Sequence, residues 1–267
     1  MRRGGDTRLQ PGGGNGAGMS EAPKFSVDLS GQVAVVTGAG RGIGRSIALA
    51  LAQAGARVIA VARTQKDLDE LCAAAEGQME GWAADVLDEG FYRRIEGMER
   101  IDILVNNAGG NRPMPMVEVD CETLDSLIAL NIRSVYLTAQ AAARRMVAQG
   151  KGVIINMSSQ MGHVGYPRGA VDCRTNHAVE GLPKAMAVEL GPQGVRVVSV
   201  APTFVVTPMT EPMFADPDFS KFVFDRIPMG KLAQPEDVAA AVLFLASPAA
   251  ALINGDSLKV DGGWTAQ

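Results

Sequence analysis

Short, nearly uninterrupted apolar runs recur along the chain at 33–37, 57–61, 101–105, 152–156, 195–200 and 257–260, rich in Val and Ile. They are nearly continuous in apolar residues rather than alternating, which is the pattern of strands covered on both faces in a parallel sheet. Between them the apolar residues fall three and four apart, predicting helices over 46–54, 64–76, 123–148, 177–190 and 235–245. Such alternation of strand and helix predicts an α/β fold, a single-domain Rossmann-type doubly wound parallel sheet flanked by helices. Ligands of these sheets sit beyond the carboxyl ends of the strands, so the chemistry should follow the apolar runs. Residues 1–18 instead carry seven glycines and no periodicity, and 1–27 read as a flexible leader to a domain over 28–267.

The first run leads straight into Thr37-Gly38-Ala39-Gly40-Arg41-Gly42-Ile43-Gly44. Glycines between a strand and a helix let backbone N–H groups approach a pyrophosphate, and the helix N-terminus favours the anion. The alternative is an ordinary glycine-rich turn; the strand–turn–helix setting favours the nucleotide. The second run ends at Ala62-Arg63-Thr64, nineteen residues beyond Gly44. An NAD site usually places an acidic residue near there to accept from the ribose 2′-OH. Arg63 suits the extra 2′-phosphate of NADP(H) instead, and Arg41 can add a second cation. NAD(H) stays open as the alternative, with Arg63 solvating a strand end. Asp85-Val86, closing the third strand, can hydrogen-bond an adenine, and Asn106-Asn107-Ala108-Gly109 makes a small polar turn suited to a ribose.

Composition narrows the classes. At 47% hydrophobic and 20% charged the chain can bury a core, and a net charge of −4 argues against a nucleic-acid partner. No apolar run reaches the ~18 residues of a membrane span. Cys72, Cys121 and Cys173 form no CxxC pair, and with only His163 and His177 a histidine-rich metal site is excluded. The expectation is a soluble cytoplasmic protein acting on a small molecule, without metal.

The Thr37–Gly44 glycine motif, the NNAG at 106–109, the NMSS at 156–159 and Pro202-Thr203 together resemble the short-chain dehydrogenase/reductase family over 28–267. Segments 60–69 and 226–231 are most similar to its tetrameric NADPH carbonyl reductases. That resemblance implies a homotetramer and the reduction of a small ketone, ketose or dicarbonyl by hydride transfer. It also assigns Pro202, Thr203, Val205 and Thr207 to the nicotinamide carboxamide, and Ser159 to polarising the carbonyl. Asn131 becomes the anchor of a proton-relay water. His163 and Met209 fall where substrate-lining residues lie, with a solvated loop as the other reading for each; the stretch 208–214 matches a mobile lid.

The family's proton donor is a tyrosine, followed four residues later by a lysine that lowers its pKa and holds the ribose. Thirteen residues after Ser159 this chain has Asp172, and four further on Asn176. Its tyrosines, Tyr92, Tyr136 and Tyr166, precede Glu96, Gln140 and Ala170 at that spacing, so no YxxxK exists. Positions four apart share a helix face, so both would still point at the site. An ordinary carboxyl has lost its proton near pH 7, and its charge opposes a developing alkoxide; only strong desolvation would raise its pKa enough. Losing an oriented acid removes ~10²–10⁴ of rate, so carbonyl reduction should be slow or absent. Arg174 could pair with Asp172, and Pro183 should kink its helix at a cost of ~3 kcal/mol. Asp172 with His177, five apart, would lie on different faces, and Cys173 lacks a base beside it. Three readings stay open: an impaired NADP(H) oxidoreductase, a non-catalytic nucleotide-binding subunit, or new acid–base chemistry on Asp172.

Overall fold

The computed structural model describes residues 27–75, 77–208 and 210–267. Of the expected leader, all but Val27 lies outside the described residues. Seven strands, β1 (Val33–Thr37), β2 (Arg57–Ala62), β3 (Met79–Ala83), β4 (Ile103–Asn106), β5 (Gly152–Met157), β6 (Val195–Pro202) and β7 (Ser257–Val260), form one sheet. Their order is β3-β2-β1-β4-β5-β6-β7 and every pairing is parallel. The helices are α1 (Gly42–Gln53), α2 (Gln65–Ala74), α3 (Glu89–Glu96), α4 (Cys121–Ile128), α5 (Ser134–Gln149), α6 (Ala170–Leu190), α7 (Pro217–Phe224) and α8 (Pro235–Ala246).

Strand residues divide between two apolar layers with period two. Ala34, Val36, Val58, Ala60, Ile103 and Val105 face the layer of α1 and α8, which pack on each other. Val35, Ile59, Val61 and Leu104 face the opposite layer, against α3 and α5. Both sets are essentially fully buried, which is why the runs carry no polar alternation. No described helix is long and apolar enough to cross a membrane.

Three departures from the sequence pattern bear on the site. The expected helix over 123–148 is two α-helices joined by a π turn at Ala129–Arg133. The helix expected from 177 starts at Ala170, so Asp172 and Asn176 are helical. It also runs unbroken through the buried Pro183, the residue expected to kink it. Strand order reverses between β1 and β4, and the crevice beyond their carboxyl ends is where such a sheet holds its ligand.

Candidate active site

Gly38 turns the chain out of β1 with φ 65, and a β-carbon there would lie 2.9 Å from the Ala108 Cα. One on Gly44 would lie 2.3 Å from the Gly38 carbonyl oxygen, inside any tolerable contact. Only glycine allows the loop to fold this tightly over the first turn of α1. That turn has no side-chain cap and no acidic residue, with Arg41 at its N-cap in extended geometry, so its free N–H groups suit an anion. Gly40, Gly42 and Ile43 complete the loop, and Gly42 is within van der Waals reach of Thr207: a β-carbon built there would sit 3.5 Å from its methyl.

The NNAG turn is bound to that loop. Thr37 Oγ1 accepts the N–H groups of Asn107 and Ala108 at 3.0 Å each, and the Asn107 amide donates to the carbonyls of Thr37 at 3.0 Å and Gly38 at 3.1 Å. Asn106 points the other way, donating to Asn156 Oδ1 at 2.9 Å. Arg63 and Thr64 stand exposed at the exit of β2, as expected of groups that meet a 2′-phosphate. Spacing rules looked for an acidic residue at 63 and so passed over Asp67 in the first turn of α2. Its Oδ2 lies 3.7 Å from Arg41 Nη2, and a β-carbon on Gly40 would lie 3.1 Å from its Cβ. Asp85 is partly exposed, with Oδ1 accepting the Leu87 N–H at 2.9 Å, while the Val86 carbonyl accepts the Tyr92 hydroxyl at 2.5 Å.

The reacting side forms where α6 packs on the Gln160–Gly162 turn. Ser159 caps that turn by accepting the Met161 N–H at 3.1 Å, which leaves its own proton to be donated. A β-carbon on Gly162 would lie 3.2 Å from the Asn176 carbonyl, so the turn rests directly on the helix at that residue. Asn131 sits in the π turn, a form that recurs at functional sites. Its amide clamps Gly110, accepting from N–H at 2.9 Å and donating to C=O at 2.8 Å, and reaches Thr175 Oγ1 on α6 at 3.3 Å. Ser159, Asn131, Asp172 and Asn176 are thus brought to one region.

Asp172 is not the ordinary carboxylate expected from its residue type. Loss of surrounding water pushes its pKa up from 3.8 to about 6, against the lowering pull of the Asn176 amide. That amide donates to Asp172 Oδ1 at 3.0 Å and to its backbone carbonyl at 2.9 Å. Both Asn176 donors are therefore turned to Asp172, and only Oδ1 is left to meet a ribose, fewer contacts than the residue type promised. Arg174 is exposed and makes no ion pair with Asp172. Burial, aided by the Asp172 charge, pushes the Cys173 thiol up, away from thiolate character. His177 is exposed, its Nδ1 2.8 Å from the Cys173 carbonyl.

His163 Nε2 lies 3.3 Å from Ser257 Oγ and 3.3 Å from Glu180 Oε1, and Ser257 Oγ donates to Glu180 Oε1 at 3.0 Å. These contacts give the buried Glu180 the polar partners it needs. Met209 lies outside the described residues. Of the expected lid, Phe214 packs into an aromatic cluster, meeting Phe219 at 5.6 Å, in which Phe204 meets Phe219 at 5.5 Å and Trp264 at 5.8 Å between ring centroids, while Pro208, Glu211 and Pro212 are exposed. Pro202 ends β6, Val205 is buried and bridges to Ala233, and Thr207 Oγ1 is 3.1 Å from Thr210 Oγ1. Among the described residues nothing hydrogen-bonds the buried Thr203 Oγ1.

An uncapped helix start, a cradle closed to β-carbons, two exposed arginines and an orphaned threonine hydroxyl fit a dinucleotide with an amide at one end and a phosphate at the other. Among the described residues no three His, Cys, Asp or Glu side chains are placed to hold a metal. The family profile described as Enoyl-(Acyl carrier protein) reductase matches residues 38–265. L-xylulose reductase of Bos taurus is 44% identical over 240 residues, covering 89% of this chain and 98% of that protein. D-threitol dehydrogenase of Mycolicibacterium smegmatis is 40% identical over 259 residues, covering 92% and 99%. Among solved structures, a gluconate 5-dehydrogenase from Burkholderia cenocepacia in complex with NADP and tartrate superposes with a TM-score of 0.85 at 34% identity, covering 90% of this chain and 98% of that one.

Proposed function

This chain belongs to the short-chain dehydrogenase/reductase family, and on that premise we propose an NADP(H)-dependent oxidoreductase of small ketones, ketoses or dicarbonyls whose proton-transfer group is Asp172. The observation that carries this reading is the Asp172–Asn176 pair on α6, set against the turn capped by Ser159. Relatives that act on L-xylulose, D-threitol and gluconate support a polyhydroxylated substrate.

A bound nicotinamide supplies or accepts the hydride; the remaining tasks fall to side chains. Glycines 38, 40, 42 and 44 admit the pyrophosphate, Arg63 is, among the described residues, the free cation for the 2′-phosphate with Arg41, paired to Asp67, as the weaker second one, and Asp85 with Val86 borders the adenine. Asn107, Ala108 and Gly109 flank the ribose, while Thr203 and the 202–207 loop meet the carboxamide. Ser159 donates a hydrogen bond to the substrate oxygen. Asp172 gives up its proton only while protonated, about one molecule in ten at pH 7 for a pKa of about 6. Once ionised it opposes charge on the same oxygen, so turnover is slow and favours acid pH.

The test is NADPH oxidation with diketones and ketoses by this chain beside the Asp172→Tyr/Asn176→Lys double variant, with NADPH binding measured on both. Binding by both with far faster turnover by the variant supports the impaired reductase. Equal turnover refutes the account of the changed donor, and binding without any turnover by the unaltered chain leaves a nucleotide-binding subunit. A carboxyl poised near pH 6 also favours a second reading, in which Asp172 removes a proton next to a carbonyl. Deuterium exchange into the substrate without NADPH consumption would identify that chemistry.

The same reading extends to a cytoplasmic homotetramer. In its support, Cys72, Cys121 and Cys173 are all free, and between α5 and α6 the exposed Tyr136 borders a cavity of about 230 Å³ lined also by Val135, Val179 and Leu182. Light scattering of the eluted protein reads the assembly directly.

A further inference from the structure

We propose that Asp67 is a cofactor-selecting residue, whose carboxylate holds Arg41 away from a 2′-phosphate and tempers the preference of this cradle for NADP(H) over NAD(H). The inference rests on reading the glycine rim as the nucleotide site. Three charges meet there. Arg63 leaves the end of β2 exposed and makes no ion pair among the described residues. Arg41, at the start of α1, is three-quarters exposed and turns to Asp67 at 3.7 Å. Asp67 itself is less exposed and presses on the loop, its Oδ2 3.3 Å from where a Gly40 β-carbon would be.

A carboxylate in that place has two effects on a dinucleotide. It neutralises one of the two cations available to a 2′-phosphate, and it stands as a like charge near the phosphate itself. Toward a dinucleotide lacking that phosphate it is an acceptor within the same rim, suited to a ribose hydroxyl. A like unit charge within the same solvated rim as a phosphate, at separations on the order of six ångströms, is worth roughly a five- to tenfold change in affinity by Coulomb's law, and a nucleotide titration reads that change directly. The effect depends on ionic strength, since a Debye length of about 10 Å at 0.1 M salt reaches no further than the rim.

The experiment is a titration of nucleotide fluorescence with NADPH and with NADH at low salt, on the unaltered chain, Asp67→Asn, Asp67→Glu and Arg63→Ala, with thermal melts to confirm folding. Asp67→Asn should raise the NADPH-to-NADH affinity ratio roughly five- to tenfold, and the gain should shrink as salt is added. Asp67→Glu keeps the charge and should keep the ratio within a factor of about two. A ratio unmoved by Asp67→Asn while Arg63→Ala lowers NADPH affinity would overturn the role of Asp67 and leave the nucleotide site standing. If the unaltered chain binds neither nucleotide, the nucleotide site and this inference fall together.

Discussion

Replacing Asp172 by Asn keeps the shape of the side chain and removes its ionisable oxygen. The carboxyl ordinarily titrates at 3.8, and in the fold desolvation raises it to about 6. The native state therefore holds this proton more tightly than the unfolded chain does. Stability must fall as pH rises from about 3.8 to about 6, and this group contributes no slope outside that window. Each pH unit of separation is worth about 1.4 kcal/mol, so ionised Asp172 destabilises the fold by about 3 kcal/mol at pH 7.5. At pH 4 most of that cost is absent, because the native carboxyl is still protonated and the unfolded one is only about half ionised. The Asn variant carries none of it, and its Oδ1 can still accept from Asn176.

The assay is urea denaturation of both proteins from pH 4 to 7.5, with slopes compared as well as midpoints. Groups common to the two proteins cancel in the difference. Asp172→Asn should gain about 2.5 kcal/mol on the parent across that range, most of it below pH 6.5. A stability difference that does not change with pH would refute a desolvated carboxyl at this position. A difference that moved in favour of the parent at high pH would mean that the charge is stabilised by a cation.

Residual carbonyl reduction should fall about tenfold per pH unit above pH 6 if Asp172 donates the proton, read from the pH profile of kcat/KM. Gly44→Ala should cost about 3 kcal/mol and abolish NADPH binding, because its β-carbon meets the Gly38 carbonyl at 2.3 Å. Thr37→Val removes the acceptor of two N–H groups and should lower stability by about 2 kcal/mol in denaturant titration. Pro183→Ala restores a missing N–H inside α6 and should stabilise by about 1–3 kcal/mol, raising Tm by several degrees. A loss of stability in that variant would show that packing of the buried pyrrolidine outweighs the helix defect.

Six of the seven strands begin and end within two residues of the apolar runs that predict them, because both faces of the central strands are covered and most of their positions are apolar. β7 coincides with its run and is only partly buried. β3 is not such a run: Met79–Ala83 is an edge strand in which Trp82 alone is buried, so burial imposed no pattern on it. The start of α6 was hidden for a related reason. Asp172, Arg174 and Asn176 interrupt apolar spacing where the helix faces the site, and a position chosen for chemistry does not report its own periodicity. Motif spacing did bring Ser159, Asn131, Asp172 and Asn176 together. What residue type alone does not show is environment: the raised Asp172 carboxyl follows from its burial in the fold, and the contacts of His163 with Glu180 and Ser257 join positions far apart in the chain.

The bonds that join Thr37 to Asn107 and Ala108, and Asn107 back to Thr37 and Gly38, make two loops into one body before any ligand arrives. A glycine-rich segment left to itself would sample many shapes, and a ligand would have to select one of them. Here the selection is already made by the neighbouring turn. The two N–H groups that Thr37 accepts should accordingly exchange with deuterium slowly in the free protein, and should change little when a nucleotide enters. An association that follows one concentration-dependent step, with no slower rearrangement behind it, is the kinetic signature of such a ready-made rim.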